Sequence, residues 1–321
     1  MRHYIDITKA NYRTFLAQEE DAEGKKWSYS YVYFLEDLKV IFNILSKNEI
    51  STIPQLLDFC KSFNIISQSG KIWTKRNLLE VVNALRNFHL IPLDSDKPAN
   101  KTIFSDNGKD LNEQDKDVFR EIYCNYFRFN EFHQLFLPDT LSVSLESLAK
   151  ESHPIISFSD CGRFTNCFIS NTKTNNASVI RIDDKHSEIM RFWDVYIKWG
   201  GVLGLLEKYP LKPFGLTLNP MQKNSSIVYF LQKMPTNFSI FAYIENEMKA
   251  KFVYIPDVIY NIILQYRYSL FDIKEKLIYE CLHDEDYFRA QSASAIFIKE
   301  YEKLLIPKIG NTYVTHLLKI R

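Results

Sequence analysis

The stretch from Ser51 to Gly108 constrains the fold most, because it reads as helix, turn, helix, hairpin and turn in close succession. Thr52 and Pro54 open an apolar helix, IPQLLDFCKSF. A Thr hydroxyl can accept from an orphan N–H of the first turn, and Pro has no N–H there to lose. The polar turn SQSGK follows, and Thr74 opens a second helix, KRNLLEVVNALRNFHLI. PLDSDKPANKTIF then reads as a hairpin, with SDNGK as the turn after it. Upstream, YVYFLEDLKVIFNILSK places Phe34, Leu35, Leu38, Ile41, Phe42 and Leu45 at helical spacing.

Periodicity assigns faces to these helices. Leu56, Leu57 and Cys60 share a stripe with Phe63, and Leu78, Leu79, Val82 and Leu85 form the inward stripe of the next helix. Lys75, Arg76, Asn83, Arg86 and Asn87 are left for the outer face. Arg and Asn can bond bidentately to guanine and adenine edges, and Lys near a helix start more often meets phosphate. Between Lys61 and Lys109, eight basic residues stand against four acidic ones, an excess of +4 on a chain of net charge +1. A local basic face on a near-neutral protein suits a reader of specific sites or a subunit of a larger assembly. The same charges also suit an ordinary solvated helix face.

The 321 residues are enough for two or three domains. At 46% hydrophobic and 15% aromatic, they can bury a large core. Only 9 glycines occur, which argues against Gly-rich nucleotide loops. The five cysteines are odd in number and form no CxxC pair, so they read as reduced thiols, with Cys60 and Cys124 on buried stripes. MRHYIDITKANYRTF lacks the apolar run of a signal peptide, and no run of about 18 apolar residues exists anywhere. The expectation is a cytoplasmic protein with no membrane partner.

Beyond Gly108, LNEQDKDVFREIYCNYFRFNEFHQLFL has the core spacing of an amphipathic helix. Arg120 and Arg128 alternate with its aromatics, a pattern shared by core stripes and single-strand stacking platforms. A domain junction is expected between 137 and 155. PIISF, NCFIS and SVIRI read as strands, with NTKTNNA as a hairpin turn between the last two. HSEIMRFWDVYIKWGGVLGLLEKY reads as a helix stopped or kinked at Gly200 and Gly201, and helical text is expected from Ile227 onward. Pro256 suits the first turn of one late helix, and Ser269 or Asp272 can cap the next. FRAQSASAIFI and YVTHLLKIR read as strands. Helix, helix, strand, strand thus repeats the earlier order, but nothing fixes a third helix there.

The 34–110 segment resembles the winged helix-turn-helix superfamily. The resemblance rests on the stripe of LLEVVNALRNFHLI, the polar hairpin text and the ending IFSDNGKDL. It implies double-stranded DNA contact through the second helix of the motif, or docking on partner subunits. The DNA-contact role would fall on Lys75, Arg76, Asn77, Asn83 and Arg86, with Lys97 and Lys101 on the wing. A string of such modules is similar to accessory subunits of microbial DNA-processing and anti-phage systems. The expected fold is α+β and mainly helical, with winged-helix-type domains and short β-hairpins. Residues 1–30 would be a leader, 31–140 a winged-helix domain with a following helix, 150–222 a mixed α/β region, and 223–321 a helical, winged-helix-like unit.

The enzymatic alternative is a nuclease. Asp160, then Asp183 and Lys185 after the strand-like SVIRI, resemble the Mg-dependent restriction-type pattern. Two carboxylates would hold Mg²⁺ and the lysine would activate water. IDDKHSE equally suits a polar turn that opens a helix. CLHDED could bind a metal or simply end a helix in solvent. No GxSxG, Walker loop, HExxH or GxGxxG occurs. The sequence therefore favours a non-catalytic DNA-binding subunit without a cofactor. A pure interaction scaffold is the second reading, and the nuclease is the third.

Overall fold

The computed structural model describes residues 32–92, 102–126, 129, 133, 155–161, 164–171, 176–182, 187–210, 225–248, 250–284, 287–292 and 303–320. It is a mixed helix-and-strand protein with antiparallel sheets.

Four helices build the first part: α1 (Leu35–Lys47), α2 (Ile53–Ser62), α3 (Lys75–Asn87) and α4 (Glu113–Asn125). Their starts follow local chemistry. Thr52 and Thr74 accept from the Gln55 and Asn77 N–H groups, and Asn112 and Asp115 form a reciprocal capping box. Leu38, Ile41, Phe42, Leu56, Leu78, Val82 and Leu85 are buried in one cluster. Two residues of the expected stripes are not in it: Phe63 is 66% and Leu79 42% exposed. Each follows or flanks a buried neighbour at the stripe's edge, and Val81 and Ala84 take the inward positions instead.

The link between α2 and α3 is tied by an antiparallel bridge, Ile66 to Ile72. Most of the hairpin expected at 92–104 lies outside the described residues. Its end, Thr102–Phe104, is bend and turn rather than strand. Ile103 and Phe104 still insert into the core, with Phe104 against Phe42 and Phe119. The SDNGK turn holds, with Gly108 at φ 82°, a conformation that suits glycine. Its function is to cage a cation: Lys39 Nζ donates to Ser105 Oγ (3.0 Å), Asn107 Oδ1 (2.7 Å) and the Asp110 carbonyl (2.6 Å).

A five-stranded antiparallel sheet follows. Its strands are β1 (Ile155–Cys161), β2 (Phe164–Asn171), β3 (Asn176–Ile182), β4 (Leu206–Pro210) and β5 (Ser225–Phe230), in the order β3-β2-β1-β5-β4. The three expected strands are all present, and β2 and β3 form the expected hairpin. Two expectations fail in this region. Helix α5 (Ser187–Val202) runs through Gly200 and Gly201 instead of breaking. A Cβ at Gly200 would sit 2.6 Å from Leu206 Cδ1 and 2.7 Å from Tyr123 Oη, so this glycine permits close packing rather than a kink. Residues from Ile227 form strand β5 and not a helix, because its side chains alternate between two cores. Val228 and Phe230 join the first core, while Ile227 and Tyr229 join the second. α5 also packs into the first core, where Tyr123 donates to the Tyr196 carbonyl at 3.0 Å and the two rings stack.

The second core gathers a short helix, α6 (Ile240–Tyr243), continued by a π-turn over Ile244–Met248. Strand β6 (Phe252–Tyr254), helices α7 (Ile255–Tyr266) and α8 (Leu270–His283), and strands β7 (Phe288–Ser292), β8 (Lys308–Ile309) and β9 (Thr312–Lys319) complete it. The sheet order is β6-β9-β7. Pro256 lies in the first turn of α7 and Ser269 caps α8, as expected. The third helix that the sequence reading did not fix is α6. Its four-residue α segment is too short for a periodic signal, and a distant residue fixes its start: Glu280, buried on α8, accepts from the Ile240 and Phe241 N–H groups at 3.1 and 2.8 Å.

Candidate nucleic-acid interface

Helix α3 carries five of the seven residues assigned to DNA contact. Lys75, Arg76 and Asn77 are exposed at its start, and Asn83 and Arg86 are half-buried further along. At about 100° per residue, Arg76, Leu79, Asn83 and Arg86 fall on one side of the helix. Leu79 is the exposed apolar residue between them. The one acid on the helix, Glu80, has its carboxyl raised by burial and lowered in opposition by Arg76. Lys61 in the last turn of α2 and Lys71 on the turn before α3 add exposed cations. Lys97 and Lys101 lie outside the described residues. Lys109, counted in the basic excess, is committed internally, since its Nζ donates to the Ile66 carbonyl at 2.7 Å.

A cleft of about 510 Å³ opens where the start of α1, the 67–71 turn and the start of α3 meet. Phe34, Asp37, Lys71, Trp73, Arg76 and Asn77 are among its lining residues. Asp37 Oδ1 accepts from the Gln68 N–H at 2.7 Å. Burial raises its carboxyl to about 6, against the lowering effect of that N–H. Lys198 of α5 lies over the Phe34 ring, 3.6 Å from its centroid. Trp73 is 5% exposed. Asp37 went unnoticed, because an acid in the first turn of a helix ordinarily reads as dipole compensation.

Helix α8 in the C-terminal unit has a different surface. Phe271, Tyr279 and Leu282 are 70%, 54% and 53% exposed and fall with Glu275 on one side of the helix. Tyr287, just beyond, is 53% exposed.

Of the three nuclease candidates, only Asp160 lies among the described residues. Asp160 pairs with Thr165, and Thr165 with Ile182, so strand β2 separates Asp160 from the end of β3. Asp183 and Lys185 lie outside the described residues. Among the described residues no group of three or more His, Cys, Asp or Glu could hold a metal. In CLHDED, burial and the nearby Glu280 push the Cys281 thiol up to about 12, which removes it as a ready thiolate ligand. His283 pairs with the Tyr279 carbonyl at 2.8 Å. Arg120 is structural: it reaches the Leu203 carbonyl, Glu113 and Asp117. Among the described residues no helix is long and apolar enough to cross a membrane. Compared with protein-family models, curated proteins and solved structures, the chain matches none.

Proposed function

We propose that this chain is a non-catalytic DNA-binding protein that works within a multi-subunit assembly. The observation that carries this reading is the outer face of α3. There, exposed Lys75 and Arg76, with Asn83 and Arg86, lie on the second of two helices joined by a turn, a helix whose own sequence holds one acid, Glu80. Arg and Asn at a helix start are suited to base edges, and the lysines to phosphate. The C-terminal order of helix, strand, helix, helix and three strands, with its β6-β9-β7 sheet and β8 paired to β9, supports a winged-helix reading of that unit.

A second reading rests on its own observation. The apolar α8 face, with Phe271, Tyr279 and Leu282 exposed, is poorly suited to a phosphate backbone and well suited to a protein partner. The C-terminal unit then serves as the docking module and α3 as the DNA reader.

The test is anisotropy binding of the purified chain to duplex DNA, single-stranded DNA and RNA of equal length, with and without Mg²⁺. Duplex preference without cleavage supports the reading. Cleavage in Mg²⁺ favours the nuclease, and absence of binding to all three leaves the scaffold.

A further inference from the structure

The cleft beside α3 has the size and the chemistry of a ligand site. Its volume of about 510 Å³ falls within the range of small-molecule pockets, roughly 300–1,000 Å³. One wall is aromatic, with Tyr33, Phe34 and Trp73. Trp73 is 5% exposed, and its indole N–H has no hydrogen-bond partner among the described residues. A buried donor without an acceptor is costly unless something else satisfies it.

Asp37 presents the second chemistry. Its Oδ1 holds the Gln68 N–H, and among the described residues no donor reaches Oδ2 and no ion pair closes on it. Lys109 and Lys198 act on it only through space, so the carboxylate keeps an acceptor edge for N–H donors in the cleft. The third is cationic: Lys71 and Arg76 line the rim next to the positive end of α3.

We infer that this cleft binds one guanine nucleotide, with its base on the aromatic wall, its N1–H and N2–H edge on Asp37, and its phosphate at Lys71 and Arg76. Guanine fits because it places two donors side by side toward a carboxylate. Adenine and cytosine set an acceptor beside their amino group, which a carboxylate repels. The nucleotide could be free or could be a guanine extruded from a strand, and the recognition chemistry is the same in both cases. The site shares Arg76 with the outer face of α3, but base recognition at Asp37 does not depend on duplex contact.

The experiment is calorimetric titration of the full chain with GMP, guanosine, AMP, CMP and inorganic phosphate. It is repeated with Asp37→Asn, which keeps an oxygen for the Gln68 N–H, and with Lys71→Ala. GMP should bind most tightly. Asp37→Asn should lose about ten- to a hundredfold in GMP affinity, the range for a charged hydrogen bond, with melting temperature and duplex affinity unchanged. Lys71→Ala should weaken GMP and leave guanosine alone. Displacement of GMP by a single-stranded oligonucleotide with one guanine assigns the site to a strand, and failure to displace assigns it to free nucleotide. No GMP binding at millimolar concentration, or equal GMP affinity in Asp37→Asn, overturns the inference. Duplex affinity measured in the same preparation separates that failure from failure of the DNA-binding reading.

Discussion

Lys39 Nζ lies 2.8 Å from Asp115 Oδ2, and neither side chain is exposed to solvent. The pair joins α1 to the start of α4, 76 positions along the chain, and is saturated with partners. Asp115 also accepts from the Ser105 N–H at 2.7 Å and from the Asn112 N–H at 3.1 Å. Burial pushes the Asp115 carboxyl up, but Lys39 and these N–H groups outweigh it and hold the carboxyl below its ordinary range.

A buried pair of this kind adds little net stability, yet losing one member is expensive, because a charge is left unpaired in the interior. Lys39→Met should therefore destabilise the protein by about 3–5 kcal/mol. Asp115→Asn keeps an acceptor for Ser105 and should cost less. Urea unfolding checks both, and a loss under about 1 kcal/mol for Lys39→Met would contradict the fixed role of this node.

His133 makes stability depend on acid. Its Nε2 faces the Tyr123 carbonyl and its Nδ1 faces the Tyr196 hydroxyl, both at 2.8 Å. The carbonyl can only accept, so Nε2 carries the proton and Nδ1 accepts from the tyrosine. Burial lowers its pKa from 6.5 to about 4. Between those values the unfolded chain binds more protons than the folded one, so stability falls as pH drops through that window. The loss should total about 3 kcal/mol. Unfolding curves from pH 7 to pH 4 should show the loss in the wild type, and a smaller pH slope in His133→Gln.

Gly200 and Gly201 should respond oppositely to alanine. At Gly200 a Cβ meets Leu206 and Tyr123 at under 3 Å, so Gly200→Ala should cost about 1–3 kcal/mol through overpacking. At Gly201 the nearest atom is 3.9 Å away, so Gly201→Ala should gain up to about 1 kcal/mol from helix propensity. Melting temperatures of the two variants decide the matter, and equal shifts would mean that Gly200 is not a packing contact.

Local signals carried the sequence reading furthest. Thr52, Thr74 and Ser269 mark helix starts because a cap acts within three residues, and the β2–β3 hairpin was legible from its polar turn. What failed depends on distant partners. Gly200 looks like a breaker until Leu206 and Tyr123 are placed against it. Strand β5 looks helical because both of its faces are buried, which removes the alternation that marks a strand. Lys39 left a trace, since it falls inside an apolar stripe between Leu35 and Phe42. Its partner, however, is visible only after folding. On the candidate interface, Lys75 and Arg76 were placed on the exposed face of α3 by periodicity, and Asn77 by the winged-helix resemblance. Asp37 and Lys71 join the cleft only because α1 and the 67–71 turn come together.

The central claim is that α3 presents its basic face to duplex DNA. The most direct measurement is the slope of log affinity against log salt for the wild type and for the Lys75→Ala, Arg76→Ala double variant. Each phosphate contact contributes about 0.9 to the slope on duplex DNA. If both residues meet phosphate the slope should flatten by roughly 1.8, and if Arg76 reads a base edge instead it should flatten by about half as much, with weaker sequence preference. Identical slopes and affinities for the two proteins would contradict the claim and leave α3 without a nucleic-acid role.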